Sequence, residues 1–156
     1  MADHFHIDSL DKKIIAFLAK DARMAFTEIG RKCKVSGAAI HQRVQLLKKN
    51  KVITGSQVNV NPRGLGYTTC AYIGIQVNLI TGKSHGEVFT KIAQIPEIVE
   101  CHHISGKYSL FVKIHTKDNE HLKNIIIEKI QSIHEVTGTE TFISLQEGFI
   151  RQLIAG

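Results

Sequence analysis

Between Arg31 and Lys51 the chain carries seven basic side chains (Arg31, Lys32, Lys34, Arg43, Lys48, Lys49 and Lys51) and no acidic one. Threaded among them are Ala38, Ala39, His41, Gln42 and Gln45. That mixture suits recognition better than catalysis. A glutamine can pair bidentately with adenine, and an alanine methyl can meet the thymine methyl in a DNA major groove. Lysine and arginine neutralise phosphates and set register without reading sequence. The base-edge candidates are therefore Ala38, His41, Gln42 and Gln45, with Ala39 a further DNA-contact candidate. The phosphate candidates are Arg43, Lys48, Lys49 and Lys51, with Ser36 and the helix start behind it as a further anion site. A solvated charged helix is the plain alternative.

A second cluster, Cys101-His102-His103, has the donor types of a zinc site. Consecutive strand residues point to opposite faces, so these three cannot converge on one ion, and no CxxC or HxxxH partner occurs elsewhere. No metal site is expected. The nine histidines and three cysteines show no oriented triad, phosphate loop or paired carboxylates, so no catalytic residue is assigned.

The elements around the basic stretch decide how it is used. Ile40, Val44 and Leu47 recur at helical spacing and predict a helix over 37–49 with one buried face, capped by Ser36. Asp8 is the expected N-cap of a first helix, with Asp11 in its first turn and Leu10, Ile14, Ile15, Phe17 and Leu18 facing inward. A short helix over 26–33, burying Ile29 and Cys33, starts without a capping side chain. A tight turn at Lys34-Val35 joins it to the basic helix. This is a helix-turn-helix arrangement. Val52, Ile53, Val58 and Val60 then predict an extended arm or wing, and Asn61-Pro62-Arg63-Gly64-Leu65-Gly66 a turn-rich linker.

Charge follows the same division. Residues 1–60 hold 11 Lys/Arg and 5 Asp/Glu, and the remainder 9 of each, so the whole excess of +6 lies in the first part. A nucleic-acid-binding end attached to a neutral body is the implied plan. No apolar run approaches the roughly 20 residues of a membrane span, no signal peptide opens the chain, and three scattered cysteines make no disulfide framework. A cytoplasmic location is expected.

The second part predicts, in order, a strand over 68–78, a helix opened by a Ser84/Glu87 capping box, and strands over 98–104 and 108–115. A helix begun at Asp118 or Asn119 with Leu122, Ile125, Ile126, Ile130 and Ile133 inward comes next, then a strand over 139–145. Phe149 to Ile154 add an edge strand or a tail. The order β-α-β-β-α-β is a ferredoxin-like split unit, giving an α+β fold overall. Its helices cover one face of an antiparallel sheet, while Tyr72, Val77 and Phe111 are too apolar for the other face to stay wet. A second copy is the simplest cover, so a homodimer is expected.

The ordered set Ile7-Asp8-Ser9-Leu10-Asp11, Asp21-Ala22-Arg23, Val35-Ser36, Arg43-Val44, Val52-Ile53-Thr54-Gly55, the 61–66 linker and Ser105-Gly106-Lys107-Tyr108 resembles the Lrp/AsnC (feast/famine) family of transcription regulators. Gly106-Lys107-Tyr108-Ser109, Lys129 to Ile133 and Thr139-Glu140-Thr141 resemble its AsnC branch. The resemblance implies a helix-turn-helix domain over 1–53, a linker over 54–66, and a C-terminal effector-binding and oligomerisation domain of the RAM type over 67–156. It implies double-stranded DNA as partner, dimers assembling further, commonly to octamers, and a small amino acid, asparagine or another, held between dimers.

An amino acid needs an anion site, an ammonium acceptor and side-chain recognition. Ser105, Gly106, Tyr108 and Ser109 are the candidates for its carboxylate, Glu140 for its ammonium and Gln131 for a carboxamide. His102 and Thr141 are expected to line the same cleft. Two departures from the family stand out. Lys34 occupies a turn position that usually holds glycine, and Gly37 replaces a proline at the start of the basic helix, which should leave that start less rigid. An architectural DNA-binding protein without an effector is the alternative reading, and an enzyme with an accessory basic domain a more distant one.

Overall fold

The computed structural model describes residues 5–78 and 85–153. The chain divides into two compact units. One runs up to Asn59 and takes in the described residues from Phe149, and the other spans Val60–Gly148.

The first unit has three helices, α1 (Ser9–Lys20), α2 (Phe26–Cys33) and α3 (Gly37–Lys49). Asp8 caps α1 in a reciprocal box: its side chain accepts from the Asp11 N–H, and the Asp11 carboxylate accepts from the Asp8 N–H. Ala25 begins α2 with no side-chain cap. The Ser36 hydroxyl oxygen accepts from the Ala39 N–H at 3.1 Å to open α3. Ile14, Ile29, Ile40, Val44 and Leu47 form the buried centre. Cys33 is only half-buried, and Gly30 takes the buried place beside Ile29.

The turn between α2 and α3 is held by backbone proximity. A Cβ on Gly30 would lie 2.6 Å from the Val35 carbonyl oxygen, so only glycine lets the turn fold back this tightly. Lys34 ends α2 in the left-handed region (φ 60°, ψ 39°), where the family pattern has glycine. Gly37 also has a packing reason. A Cβ there would sit 3.1 Å from Thr27 Cγ2, so the missing side chain lets the start of α3 lie close on α2. Lys51 adopts a second positive φ (57°) as the chain leaves α3, which nothing in its sequence neighbourhood signals. Among the described residues, 54–61 form no strand: where the wing is expected there is no regular element, and Val58 and Val60 are exposed.

The second unit is a four-stranded antiparallel sheet with strand order β2-β3-β1-β4. Its elements run β1 (Thr69–Val77), α4 (His85–Ala93), β2 (Ile98–His103), β3 (Leu110–Thr116), α5 (Asn119–Asn124) and β4 (Val136–Ile143). The predicted ferredoxin-like order is present. The proposed cap Ser84 lies outside the described residues. Asp118 caps α5, its side chain accepting from the His121 N–H at 2.7 Å. Beyond α5 the helix widens into a π-helical stretch, Ile125–Ile130, which a plain helical stripe does not anticipate. The widened turn puts Ile125 and Ile130 in the core and leaves Ile126 only partly buried. β4 begins and ends earlier than its sequence pattern indicates, and Tyr108 and Ser109 precede β3 rather than forming its start. Phe149–Leu153 form no strand.

Strand alternation puts Ala71, Ile73, Ile75, Leu110, Val112 and Ile114 on the helix-covered face. A Cβ on Gly74, on the opposite face, would lie 2.6 Å from the Tyr108 ring. The glycine is therefore the slot in which that ring lies flat on the sheet.

Two substitutions separate the roles of the α2–α3 turn. Lys34→Gly removes a left-handed penalty of about 1–2 kcal/mol against a glycine entropy cost of about 0.5–1 kcal/mol. It is expected to raise the unfolding free energy of the first unit, read from urea denaturation, by a net of about 0.5–1 kcal/mol. Gly30→Ala is expected to lower that free energy by about 1–3 kcal/mol through overpacking. Equal effects of the two variants would refute this account.

Candidate nucleic-acid interface and ligand face

α3 shows two sharply different sides. Ile40, Val44 and Leu47 are fully or almost fully buried, while Ala38, His41, Gln42, Gln45, Lys48 and Lys49 are exposed. Ala39 is half-buried, its N–H taken by the Ser36 cap. Lys51, just past the helix, is exposed. The structure thus brings the predicted base-edge residues onto one free surface, with lysines at its C-terminal end.

Arg43, a phosphate candidate by its type, has another engagement: its Nη1 lies 2.7 Å from Asp8 Oδ2 and 3.3 Å from Asp11 Oδ2. Asp11 is completely buried, and a buried carboxylate without a counter-charge is costly, so the guanidinium is committed to the start of α1. The Asp11 N–H chiefly, and Arg43 after it, hold the Asp8 carboxyl below its ordinary value, against a partial opposing effect of burial. No local pattern signals this link, because the partners stand 32 residues apart.

On the sheet, the face without helices carries a row across all four strands. Register pairs Glu140 with Gly74, Gly74 with Phe111, and Phe111 with His102. The Tyr108 ring fills the gap over Gly74, 6.4 Å from the Phe111 ring. Its hydroxyl donates to Glu140, and Lys107 Nζ lies 2.5 Å from the same carboxylate oxygen. Phe111 also packs on Tyr72 and Phe142, with centroids 6.1 and 6.2 Å away. His102 is mostly exposed, 3.8 Å from Glu100.

The eight residues expected to share an effector cleft do not meet within one chain. His102, Tyr108 and Glu140 lie on the open face. Thr141 pairs with Ile73, so it lies on the helix side with Gln131, whose amide donates to Thr139 Oγ1 at 2.9 Å. Ser105 is exposed, and Gly106 has a φ of 125° that favours glycine. Ser109 is a stitch between strands. Its N–H donates to the Ile75 carbonyl, and its hydroxyl lies 3.3 Å from the Val77 nitrogen. Lys107 and Tyr108 both engage Oε2 of Glu140.

Catalytic chemistry finds no support in the cysteines. Cys70 pairs with His115 across β1 and β3, but burial pushes the thiol up and holds the imidazole down. Both shifts oppose a thiolate–imidazolium pair. Among the described residues no group of three or more His, Cys, Asp or Glu could hold a metal ion, and no helix is long and apolar enough to cross a membrane.

Comparison with known proteins points one way. Residues 7–48 match the AsnC-type helix-turn-helix domain, and residues 70–153 the Lrp/AsnC ligand binding domain. The Regulatory protein AsnC of Haemophilus influenzae is 37% identical over 148 residues, covering 95% of this chain and 97% of that protein. The solved structure of Escherichia coli AsnC is 34% identical, with a TM-score of 0.88 over 97% of this chain and 100% of that one. A feast or famine regulatory protein from Mycobacterium tuberculosis, solved with L-methionine, shares the fold at 22% identity, with a TM-score of 0.87 over 96% of this chain and 100% of that one.

The Arg43 link has a pH signature. Arg43→Gln is expected to destabilise the first unit by about 2 kcal/mol at neutral pH. Because the Asp8 carboxyl titrates below its ordinary value, its contribution is whole above that value and is lost as the pH falls through the lowered one. The part of the gap between Arg43→Gln and the natural chain that passes through Asp8 should therefore narrow as the pH falls below about 4. Urea midpoints measured at neutral and acid pH test this, and a gap that stays constant would refute the assignment.

Proposed function

The chain belongs to the Lrp/AsnC family of transcriptional regulators, and we propose that it reads operator DNA with the exposed face of α3 and responds to a small amino acid bound by its C-terminal unit. The observation that carries the DNA half is the two-sidedness of α3: a fully buried aliphatic stripe backs a polar, basic face. Ala38, His41, Gln42 and Gln45 meet base edges. Lys48, Lys49 and Lys51 meet phosphates, and the Ser36 hydroxyl at the helix start faces another. Residues 1–53 form the reading domain, 54–66 the linker, and the sheet unit that follows the sensor and assembly domain.

The open aromatic face of the sheet supports assembly as a homodimer. Tyr72, Phe111 and Phe142 form an apolar strip, and Phe142 is 45% exposed in the single chain. A second copy buries that strip, and further association of dimers, commonly to octamers in this family, builds the clefts in which an effector is shared. The L-methionine held by the mycobacterial relative supports an amino acid as the ligand class. The resemblance to AsnC supports asparagine as the ligand itself, acting in the cytoplasm.

A mobility-shift titration against the chain's own upstream DNA, at two salt concentrations, tests the regulator reading. Salt-dependent binding is expected, and its absence would overturn it. Lys48→Ala should reduce the slope of log affinity against log salt by about 1, whereas Arg43→Gln should leave that slope unchanged. Thermal-shift measurements over the twenty amino acids test the sensor half: a rise in melting temperature with asparagine or another small amino acid is expected. No response to any of them would leave a DNA-binding protein without an effector.

A further inference from the structure

The chain enters and leaves α3 by the same motif. After α2, the Val35 N–H donates to the Gly30 carbonyl at 2.9 Å and the Lys34 N–H to the Arg31 carbonyl at 3.4 Å. After α3, the Val52 N–H donates to the Leu47 carbonyl at 2.9 Å and the Lys51 N–H to the Lys48 carbonyl at 3.0 Å. Each pair of bonds closes a helix end through one left-handed residue, a place that glycine usually fills. Here both places hold lysine, with φ of 60° and 57°. Among the described residues these are the only non-glycine positions with a positive φ.

A Cβ disfavours that conformation whatever side chain lies beyond it, and lysine has no special tolerance for it. Nor does the protein use the two charges. Both side chains are exposed, and among the described residues neither enters an ion pair. The acids of the first unit are engaged elsewhere: Asp8 and Asp11 by Arg43, Glu28 by Lys32 at 3.7 Å, and Asp21 by the Arg23 N–H. Their placement supplies the use. α3 has 13 residues, so it is roughly 20 Å long, whereas the DNA major groove is about 12 Å wide. With its exposed face in the groove, its two ends lie beside the two phosphate backbones, and the lysines stand at those ends. Backbone strain concentrates where a binding surface needs a particular residue.

We propose that Lys34 is a DNA-phosphate contact at the start of α3, matched by Lys51 at its far end, and that this charge keeps lysine where glycine would be more stable. The inference rests on the reading of α3 as the DNA-contacting helix. It adds to that reading a contact outside the helix, in the α2–α3 turn. The family pattern has glycine at that position, so this chain grips the DNA backbone at a point which the pattern leaves neutral.

The test uses the full chain and a duplex that it selects from a randomised pool. Affinity is titrated over a range of salt, and stability is read from urea denaturation. Lys34→Gly and Lys51→Gly should each unfold at higher urea than the natural chain. Each should nevertheless bind the duplex roughly fivefold to tenfold more weakly at about 0.1 M salt, with a slope of log affinity against log salt shallower by about 0.9. The double variant should be shallower by about twice that. Lys34→Asn removes the charge but tolerates a left-handed backbone. Its slope should match that of Lys34→Gly, which separates lost charge from added backbone freedom. Lys34→Arg should keep the natural slope. So should Lys20→Ala, which removes the same charge from the last turn of α1. A natural slope in Lys34→Gly, or a loss matched by Lys34→Arg or by Lys20→Ala, overturns the proposal while leaving the regulator reading intact. Failure of the natural chain to bind any duplex in a salt-dependent way overturns both.

Discussion

The buried Asp11 carboxylate is the constraint on which the first unit depends. It lies in the first turn of α1, where the helix dipole favours an acid, but its burial demands more than a dipole supplies. Arg43 meets that demand from the middle of α3, on the flank between the helix's buried stripe and its exposed face. The residue that neutralises the core therefore also fixes the rotation of α3 about its own axis. Ile40, Val44 and Leu47 bury one side of α3, but aliphatic packing is tolerant of small rotations. A guanidinium shared between two carboxylates is much less so. The polar face offered to a partner is thus aligned by an ion pair on the flank.

A comparable division of labour appears in the sheet. One face is filled by branched aliphatic side chains, and their packing requires nothing of the other. The open face is organised instead by Gly74, whose missing side chain admits the Tyr108 ring. That ring carries its hydroxyl to Glu140 and lies tilted beside the Phe111 ring, so one absent methyl orders a row running from β4 to β2. Lys107 and Tyr108 share one carboxylate, which settles the hairpin tip against the sheet.

Much of this was legible beforehand, for identifiable reasons. Periodicity and capping residues are local, so α1, α2, α3 and their caps at Asp8 and Ser36 emerge from spacing alone. The left-handed Lys34 was exposed by the family pattern, which has glycine there. What escaped is nonlocal. Nothing near Arg43 announces Asp8 and Asp11, and nothing near Glu135 announces that it is buried against Lys91 at 2.9 Å. Gly30 and Gly74 carried a usable signal, since glycine inside a helix or strand marks close approach, but what approaches each is set by the fold. The π-helical stretch is hidden for another reason. A run of isoleucines at 125–127 fits an ordinary helix as well as a widened one, and only packing selects between them.

The split of the expected effector residues is itself informative. Glu140 and Thr141 are neighbours in β4, and strand alternation sends them to opposite faces. Gln131 joins Thr141's side, while Tyr108 joins Glu140's. β4 is the last strand in the sheet order, so its outer edge is where a short path connects the two sides. A ligand small enough to be an amino acid can engage both sets only by straddling that edge or by taking one set from each of two chains. Either arrangement ties occupancy to what lies against the edge. A ligand held there shifts assembly by the difference between its affinities for the assembled and separate forms. Tight binding alone would shift nothing. On the proposed reading, a ligand that engages both sets makes sensing depend on the edge and on what packs against it, which an enclosed pocket within one chain would not provide.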